Sequence, residues 1–271
     1  MRKRIFLSIQ LFVCFAAVRG QMDTLTQMRR FIRVCNVYKQ LPVTLDVLVE
    51  RRANLITSAN DSSRTVAFFC LHSDASYVEM GGMEQLVNDS LLLLVNNPSK
   101  RMILYANHQA VADRFRQYMG LQVGDSSIRR MGRSYTASMA ASTGDTALLE
   151  VKSRGLVSHT TLPKEEIRMR FHSNTDEPYE VEELQRSLVP VTRETYAKAG
   201  AEPGWAGKTV TAGDSLFFLV KEQTTLFSYR KISHDLQEKV PARVCDRIVA
   251  YRPGKYGPVV AFADYILTQQ F

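Results

Sequence analysis

Between Leu86 and Ala106 the chain reads LVNDSLLLLVNNPSKRMILYA. Two apolar segments flank the polar turn Asn97-Pro98-Ser99-Lys100, and the first, Leu91 to Val95, is apolar at every position. Successive side chains of a strand point to opposite faces, so a strand with one wet face alternates. Leu91 to Val95 does not, and both of its faces need cover. The fold must therefore shield two sides of a sheet, with its own elements or with something that it binds.

The neighbouring segments read as strands too. Val43, Leu45, Val47 and Val49 alternate with Thr44, Asp46 and Glu50, Thr65 to His72 is solidly apolar, and Ser76 to Met80 and Met83 to Val87 are short. Ser90 to Asn96 and Arg101 to Ala106 follow, and connections of a few residues make such neighbours antiparallel. A later batch is expected at Ala147 to Ser153, Glu166 to His172, Val181 to Val191, Ser215 to Glu222, Thr225 to Ile232, Val244 to Tyr251 and Val259 to Gln269, with turns at Asn174 to Pro178 and at Glu222-Gln223. Lys198 to Gly213 reads as a long surface loop.

Two segments have helical spacing. Asp23 to Lys39 places Leu25, Met28, Cys35 and Tyr38 together, with Asp23 as cap and Pro42 as stop. Asn107 to Met119 gathers Val111, Phe115, Tyr118 and Met119 on one face. The predicted fold class is α+β and β-dominated: a curved antiparallel sheet, an unclosed barrel of about 10–11 strands, with an N-terminal helix and a helical lid.

Residues 1–20 read as an export signal. Arg2, Lys3 and Arg4 precede an apolar run from Ile5 to Val18, too short and wrongly flanked for a spanning helix. The remainder, 21–271, is expected to be a single domain, soluble and cleaved from the signal. Removing Arg2, Lys3, Arg4 and Arg19 lowers the formal charge by four, from +8 to +4. Arg29, Arg30 and Arg33, then Arg129, Arg130 and Arg133, are short local groups of the kind found on the solvated side of a helix or loop, so no nucleic acid is expected as partner. Cys35, Cys70 and Cys245 are too far apart for a zinc pattern and allow at most one disulfide within the chain.

The usual catalytic patterns are missing. His72, His108, His159, His172 and His234 have no metal-ligand spacing, and no nucleophile elbow, phosphate loop or dinucleotide fingerprint occurs. Ser228 to Lys231 matches S-x-x-K in letters, but on a strand the two side chains face opposite ways. Glu180, Glu182 and Glu183 read as a wet strand face. No enzyme, cofactor or metal is expected.

The order of elements resembles a known group. An export signal, an amphipathic helix, a meander holding VNDSLLLLV and KRMILY, an inserted helix and a closing FADYILTQQF resemble the Lol-type carriers of outer-membrane lipoproteins. NDSLLLLV and the pattern of Phe262, Tyr265 and Leu267 are similar to exported Bacteroidota proteins of that architecture. The resemblance implies a periplasmic carrier or chaperone for lipid-modified or other hydrophobic cargo, with an apolar hollow. Candidate lining residues are Phe69, Leu92, Leu94, Ile103, Phe217, Leu219 and Phe227 from the sheet, with Phe115 and Tyr118 from the lid.

Asp followed by Ser or Thr and a small or apolar residue, at Thr24, Ser90, Thr146 and Ser215, looks like a Bacteroidota O-glycosylation pattern, and it also marks turns and caps. Two further readings stay open: a non-catalytic subunit or scaffold contacting envelope proteins or the membrane surface, and an integral outer-membrane barrel ending on Phe271.

Overall fold

The computed structural model describes residues 24–36, 40–88, 90–106, 125–213 and 215–270. The expected signal segment, the Asp23 cap and the lid helix with Phe115 and Tyr118 lie outside these residues. Three α-helices are described: α1 over 24–35, α2 (Asp125–Ser134) and α3 (Arg193–Gly200). The strands are β1 (Val43–Ala53), β2 (Ser63–Leu71), β3 (Ala75–Met80), β4 (Met83–Asn88), β5 (Leu91–Asn96), β6 (Arg101–Ala106), β7 (Tyr135–Thr143) and β8 (Thr146–Ser153). They continue as β9 (Glu165–His172), β10 (Pro178–Val191), β11 (Thr209–Ala212), β12 (Leu216–Ser233), β13 (Ile248–Arg252), β14 (Lys255–Pro258) and β15 (Ile266–Gln270).

Thirteen of them form one sheet in the order β15-β6-β5-β4-β3-β2-β1-β12-β10-β9-β8-β7, with β11 beside β12. Its first and last strands do not pair, so the sheet is open, as the β-dominated α+β reading expects. It is larger than the 10–11 strands expected, and β15 joins β6 in parallel. The described chain packs as two compact units. One draws on Met1–Cys35, Glu50–Ser63 and Val123–Leu226, the other on Asn36–Val49, Arg64–Gln122 and Phe227–Phe271.

In the first unit α1 buries Met28, Ile32 and Val34. The Arg30 guanidinium lies 5.0 Å from the centre of the fully buried Phe171 ring, and Arg30 and Arg33 pair with Asp176 at 3.7 and 3.6 Å. Leu25 crosses α2 at Gly132, where a Cβ would stand 3.1 Å from Leu25 Cδ2. Register separates the faces of the β7 to β10 ladder. One carries Ala137, Val151, Ile167 and Glu183 in a row, with Met139, Leu149, Met169 and Val181 in the next.

The opposite face is charged. Glu150 pairs with Arg168 at 3.4 Å, Arg168 with Glu182 at 3.3 Å, and Arg170 with Glu180. Glu180 and Glu182 thus sit in a cross-strand ladder, whereas Glu183, read from sequence as part of the same wet face, lies on the apolar side. Burial, then Glu165, push the Glu183 carboxyl above its usual range, with Arg51 acting in the other direction.

Arg186 closes the ladder. Its side chain is 8% exposed, and it donates to Glu166 Oε1 at 2.6 Å, Glu222 Oε1 at 2.8 Å and the Pro163 carbonyl at 2.9 Å. Lys208 takes the second Glu222 oxygen at 2.6 Å. These contacts explain why no turn forms at Glu222-Gln223: Glu222 is held inside the continuous 18-residue β12, where the sequence suggested two strands. The expected loop from Lys198 to Gly213 is likewise structured, by the end of α3, a 3-10 turn at Pro203–Trp205 and β11. Asp61 accepts from Lys221 Nζ and the Thr57 amide, both at 2.6 Å, and from the Ser58 amide at 2.8 Å, which hold its carboxyl well below the usual range.

In the second unit, Gly81 and Gly82, at φ 60° and 78°, make the two-residue turn between β3 and β4, a backbone that side-chain-bearing residues adopt poorly. None of the three described cysteines, Cys35, Cys70 and Cys245, is in a disulfide.

Removing the Arg186 guanidinium takes away the buried cation shared by Glu166 and Glu222 and leaves each with one remaining partner, Arg168 and Lys208, so Arg186→Ala is expected to lower stability by roughly 3 kcal/mol. Arg170→Ala, at a pair whose Arg side chain is 41% exposed, is expected to change it by less than about 1 kcal/mol. Urea unfolding of both variants checks the contrast. Because the folded Glu183 holds its proton more tightly than the unfolded one, stability should be greatest below the unfolded glutamate range and fall as pH rises through the folded value. Glu183→Gln should remove that fall, as read from unfolding midpoints between pH 4 and 8.

Candidate functional site

The two faces of β2 to β6 differ in what packs on them. On the first, Cys70, Tyr77, Leu86, Leu93 and Leu104 form one cross-strand row, with Val95 and Met102 beside it. All seven are at most 6% exposed. Their cover comes from the C-terminal segment: Val240, Ala242, Val244, Ile248, Tyr256, Phe262 and Tyr265 pack in the same cluster. Glu84, buried under this strap, accepts from Arg247 Nε at 3.0 Å and Asn97 Nδ2 at 2.8 Å. The Arg247 guanidinium in turn lies 4.8 Å from the Phe262 ring centre. Gln269 ties β15 to β14 by donating to the Tyr256 carbonyl at 2.7 Å and accepting from its amide at 3.3 Å.

The strap explains why the expected strands at Val244 to Tyr251 and Val259 to Gln269 are shorter. Val244–Asp246 and Val260–Phe262 are 3-10 turns that lay side chains onto the sheet, and only the ends of the two segments extend. Among the described residues, the cover on this side is thus a strap of turns and a hairpin.

The second face carries the row Phe69, Val78, Gln85, Leu94 and Ile103, followed by the row Leu71, Ser76, Val87, Leu92 and Tyr105. Phe69, Val78 and Leu71 join Val43, Leu45, Val47, Val49, Phe227, Tyr229 and Ile232 in one apolar cluster. Every member comes from β1, β2, β3 or β12, and Val43, Leu45, Val47 and Leu71 are at most 5% exposed. Phe69, Val78, Leu94, Ile103 and Phe227 are half-buried, and Leu92 is 7% exposed. One polar side chain, Gln85, interrupts the Phe69 to Ile103 row.

Of the candidate lining residues, Phe69, Leu92, Leu94, Ile103 and Phe227 therefore belong to the second unit, where register puts Phe69, Leu92, Leu94 and Ile103 on one face and the cluster adds Phe227. Phe217 and Leu219 belong to the first unit, where Phe217 stacks at 5.0 Å on Tyr196 of α3 and Leu219 is buried. Sequence reading passed over Val43, Leu45, Val47, Val78 and Tyr229, although the strict alternation of the β1 residues pointed to a common face.

The candidate modification positions are also placed. Thr24 is 9% exposed at the start of α1, Thr146 is half-buried at the start of β8, and Ser90 and Ser215 are exposed. Around Ser90 the backbone forms an Asx turn, in which Asn88 Oδ1 accepts from the Ser90 and Leu91 amides at 2.9 and 2.7 Å. Among the described residues no group of three or more His, Cys, Asp or Glu could hold a metal ion, and no helix is long and apolar enough to cross a membrane.

No protein-family model and no curated protein matches this chain. Among solved structures it is similar to a LolA superfamily protein from Nitrosomonas europaea at 10% identity, covering 80% of this chain and 95% of that one, with a TM-score of 0.27. A DUF1329 family protein from Desulfovibrio piger aligns over 80% and 95% at 8% identity and a TM-score of 0.30. A putative outer membrane lipoprotein-sorting protein domain from Vibrio parahaemolyticus aligns over 78% and 93% at 10% identity and a TM-score of 0.27. Similarity of this degree assigns neither a residue nor an activity to this chain.

Proposed function

We propose that the chain is a non-catalytic, exported carrier or chaperone, and that the second face of β2 to β6 holds the apolar part of its cargo, an acyl chain of a lipid-modified protein or a similar hydrophobic molecule. The observation that carries this is the asymmetry of the two faces. One apolar face is packed by the chain's own strap, and on the other Phe69, Val78, Leu94, Ile103 and Phe227 are half-buried, beside a described cluster drawn from the sheet alone. An apolar surface of that kind favours an apolar occupant, because burial removes it from water.

The dimensions suit one chain of hydrocarbon. Phe69 to Ile103 crosses five neighbouring strands, a row of roughly 19 Å at about 4.8 Å per strand. One leaflet of a membrane's hydrocarbon core, about half of 30 Å, is close to that length. Each methylene laid on the row gains about 0.8 kcal/mol, so a long acyl chain binds without any polar contact. The basic-then-apolar start, Arg2 to Val18, supports export to a periplasm.

An environment-sensitive acyl probe tests the reading. Leu94→Glu and Ile103→Glu each place a carboxylate in the middle of the row and should weaken probe binding at least tenfold, about 1.4 kcal/mol. Val66→Glu, at a position 47% exposed and displaced by one residue from Ala67 of the binding face, should leave it unchanged. Equal binding by all three folded variants overturns the assignment of this face. Native mass spectrometry of gently purified protein then identifies the occupant: a co-purifying acyl species supports the carrier, and a co-purifying polypeptide alone favours a scaffold.

A further inference from the structure

A second feature of the same unit is polar. A cavity of about 610 Å³ opens between the end of β2 and the segment that leaves β12, lined by His72, Leu236, Gln237, Glu238, Lys239, Val240 and Arg243. Its volume is that of ordinary small-ligand sites. Among the described residues, two polar atoms in its walls, His72 Nε2 and Glu238 Oε2, are buried and without a hydrogen-bond partner, an arrangement that costs free energy unless something fills it. The other Glu238 oxygen accepts from Lys231, so the carboxylate is already neutralised. Lys239 is exposed, and Arg243 pairs with Asp74 at 3.3 Å, with the Arg243 and Asp74 side chains both more than half exposed. The lining therefore carries a surplus of positive charge. Leu236, 81% exposed, stands among these charges as an apolar contact.

We propose that this cavity binds an anionic group with a neighbouring hydroxyl, as in a phosphoglycerol headgroup or a hydroxy acid. Lys239 and Arg243 supply two cationic contacts to the anion, with Arg243 exchanging Asp74 for the ligand. His72, as the Nε2–H tautomer, donates to an anion oxygen, and Glu238 Oε2 accepts from the hydroxyl. A plain anion meets the charge of the site and leaves Glu238 Oε2 without a donor, so the hydroxyl is what distinguishes the ligand. Thr44, beside Glu238, is on the strap-covered side of the sheet with Cys70, which separates this site from the acyl face.

Calorimetric titration of the full chain at low ionic strength, with glycerol 3-phosphate and with glycerate, tests the proposal. Saturable binding of either probe is expected, weakened by salt and at least tenfold weaker in the Lys239→Gln/Arg243→Gln variant, whose two substitutions are on exposed side chains. Glycerol 3-phosphate should also bind more tightly than ethyl phosphate, and Glu238→Gln should narrow that difference. A response to glycerol 3-phosphate alone assigns a phosphate ester, and a response to glycerate alone assigns a hydroxy acid. Leu94→Glu should leave the titration unchanged, so failure of the acyl-face reading does not carry over to this site. No binding of either probe up to about 10 mM, or identical binding by the double-glutamine variant, overturns the proposal.

Discussion

The seating of Val244, Ile248, Phe262 and Tyr265 on Leu93, Val95, Met102 and Leu104 sets the terms for everything else in the second unit. It accounts for one of the two faces that the Leu91 to Val95 run requires to be covered. The strap is anchored as well as greasy: Arg247 reaches Glu84 beneath it and lies over the Phe262 ring, and Tyr265 donates to Asn97 Oδ1 at 2.9 Å. A buried carboxylate such as Glu84 is tolerable only when paired, so the ion pair and the apolar contacts require the strap in the same position. With that side filled by residues more than 130 positions away in sequence, the other side is left as the surface on which binding is read.

The first unit solves the same problem with a different partition. One face of β8 to β10 is wetted by a ladder of alternating charge and the other is apolar under α1, so its strands alternate as a sheet with one solvated side should. Glu183 is the exception, a carboxylate on the apolar side. The chain thus contains both classes of strand, apolar on two faces around β5 and on one face around β9, and the distinction is already visible in how each run of residues alternates.

What was legible in the sequence is what depends on near neighbours. The meander from β2 to β6 follows from short apolar runs broken by turn residues, and the register of its five strands puts Phe69, Leu92, Leu94 and Ile103 on one face. What was illegible depends on distant partners. Glu222-Gln223 looks like a turn until Arg186 and Lys208 are in place to hold Glu222. Val244 to Tyr265 has strand-like composition, and becomes turns and a hairpin because a packed apolar face lies beneath it. β7, with its run of Ala, Ser and Thr, gives little pattern of its own and is fixed by pairing with β8. Likewise, the separation of Phe217 and Leu219 from the other lining candidates reflects how the chain is apportioned between units, which no local pattern encodes.

The 18-residue strand β12 crosses the boundary between the units at Leu226 and Phe227, and β1 crosses it at Val49 and Glu50. Neither unit is a continuous piece of chain, and each is stitched from three separate stretches. A polypeptide of this kind, made amino end first, has no early folding unit. The strap that seals the Leu93 face follows the strands it covers by more than 130 residues. Until it arrives those strands wait with unsatisfied apolar surface, a state that favours aggregation and slow, non-local closure. Such a chain depends on being shielded while it is made, and a cut at Leu226 or Phe227 within β12 would divide both units' frameworks at once.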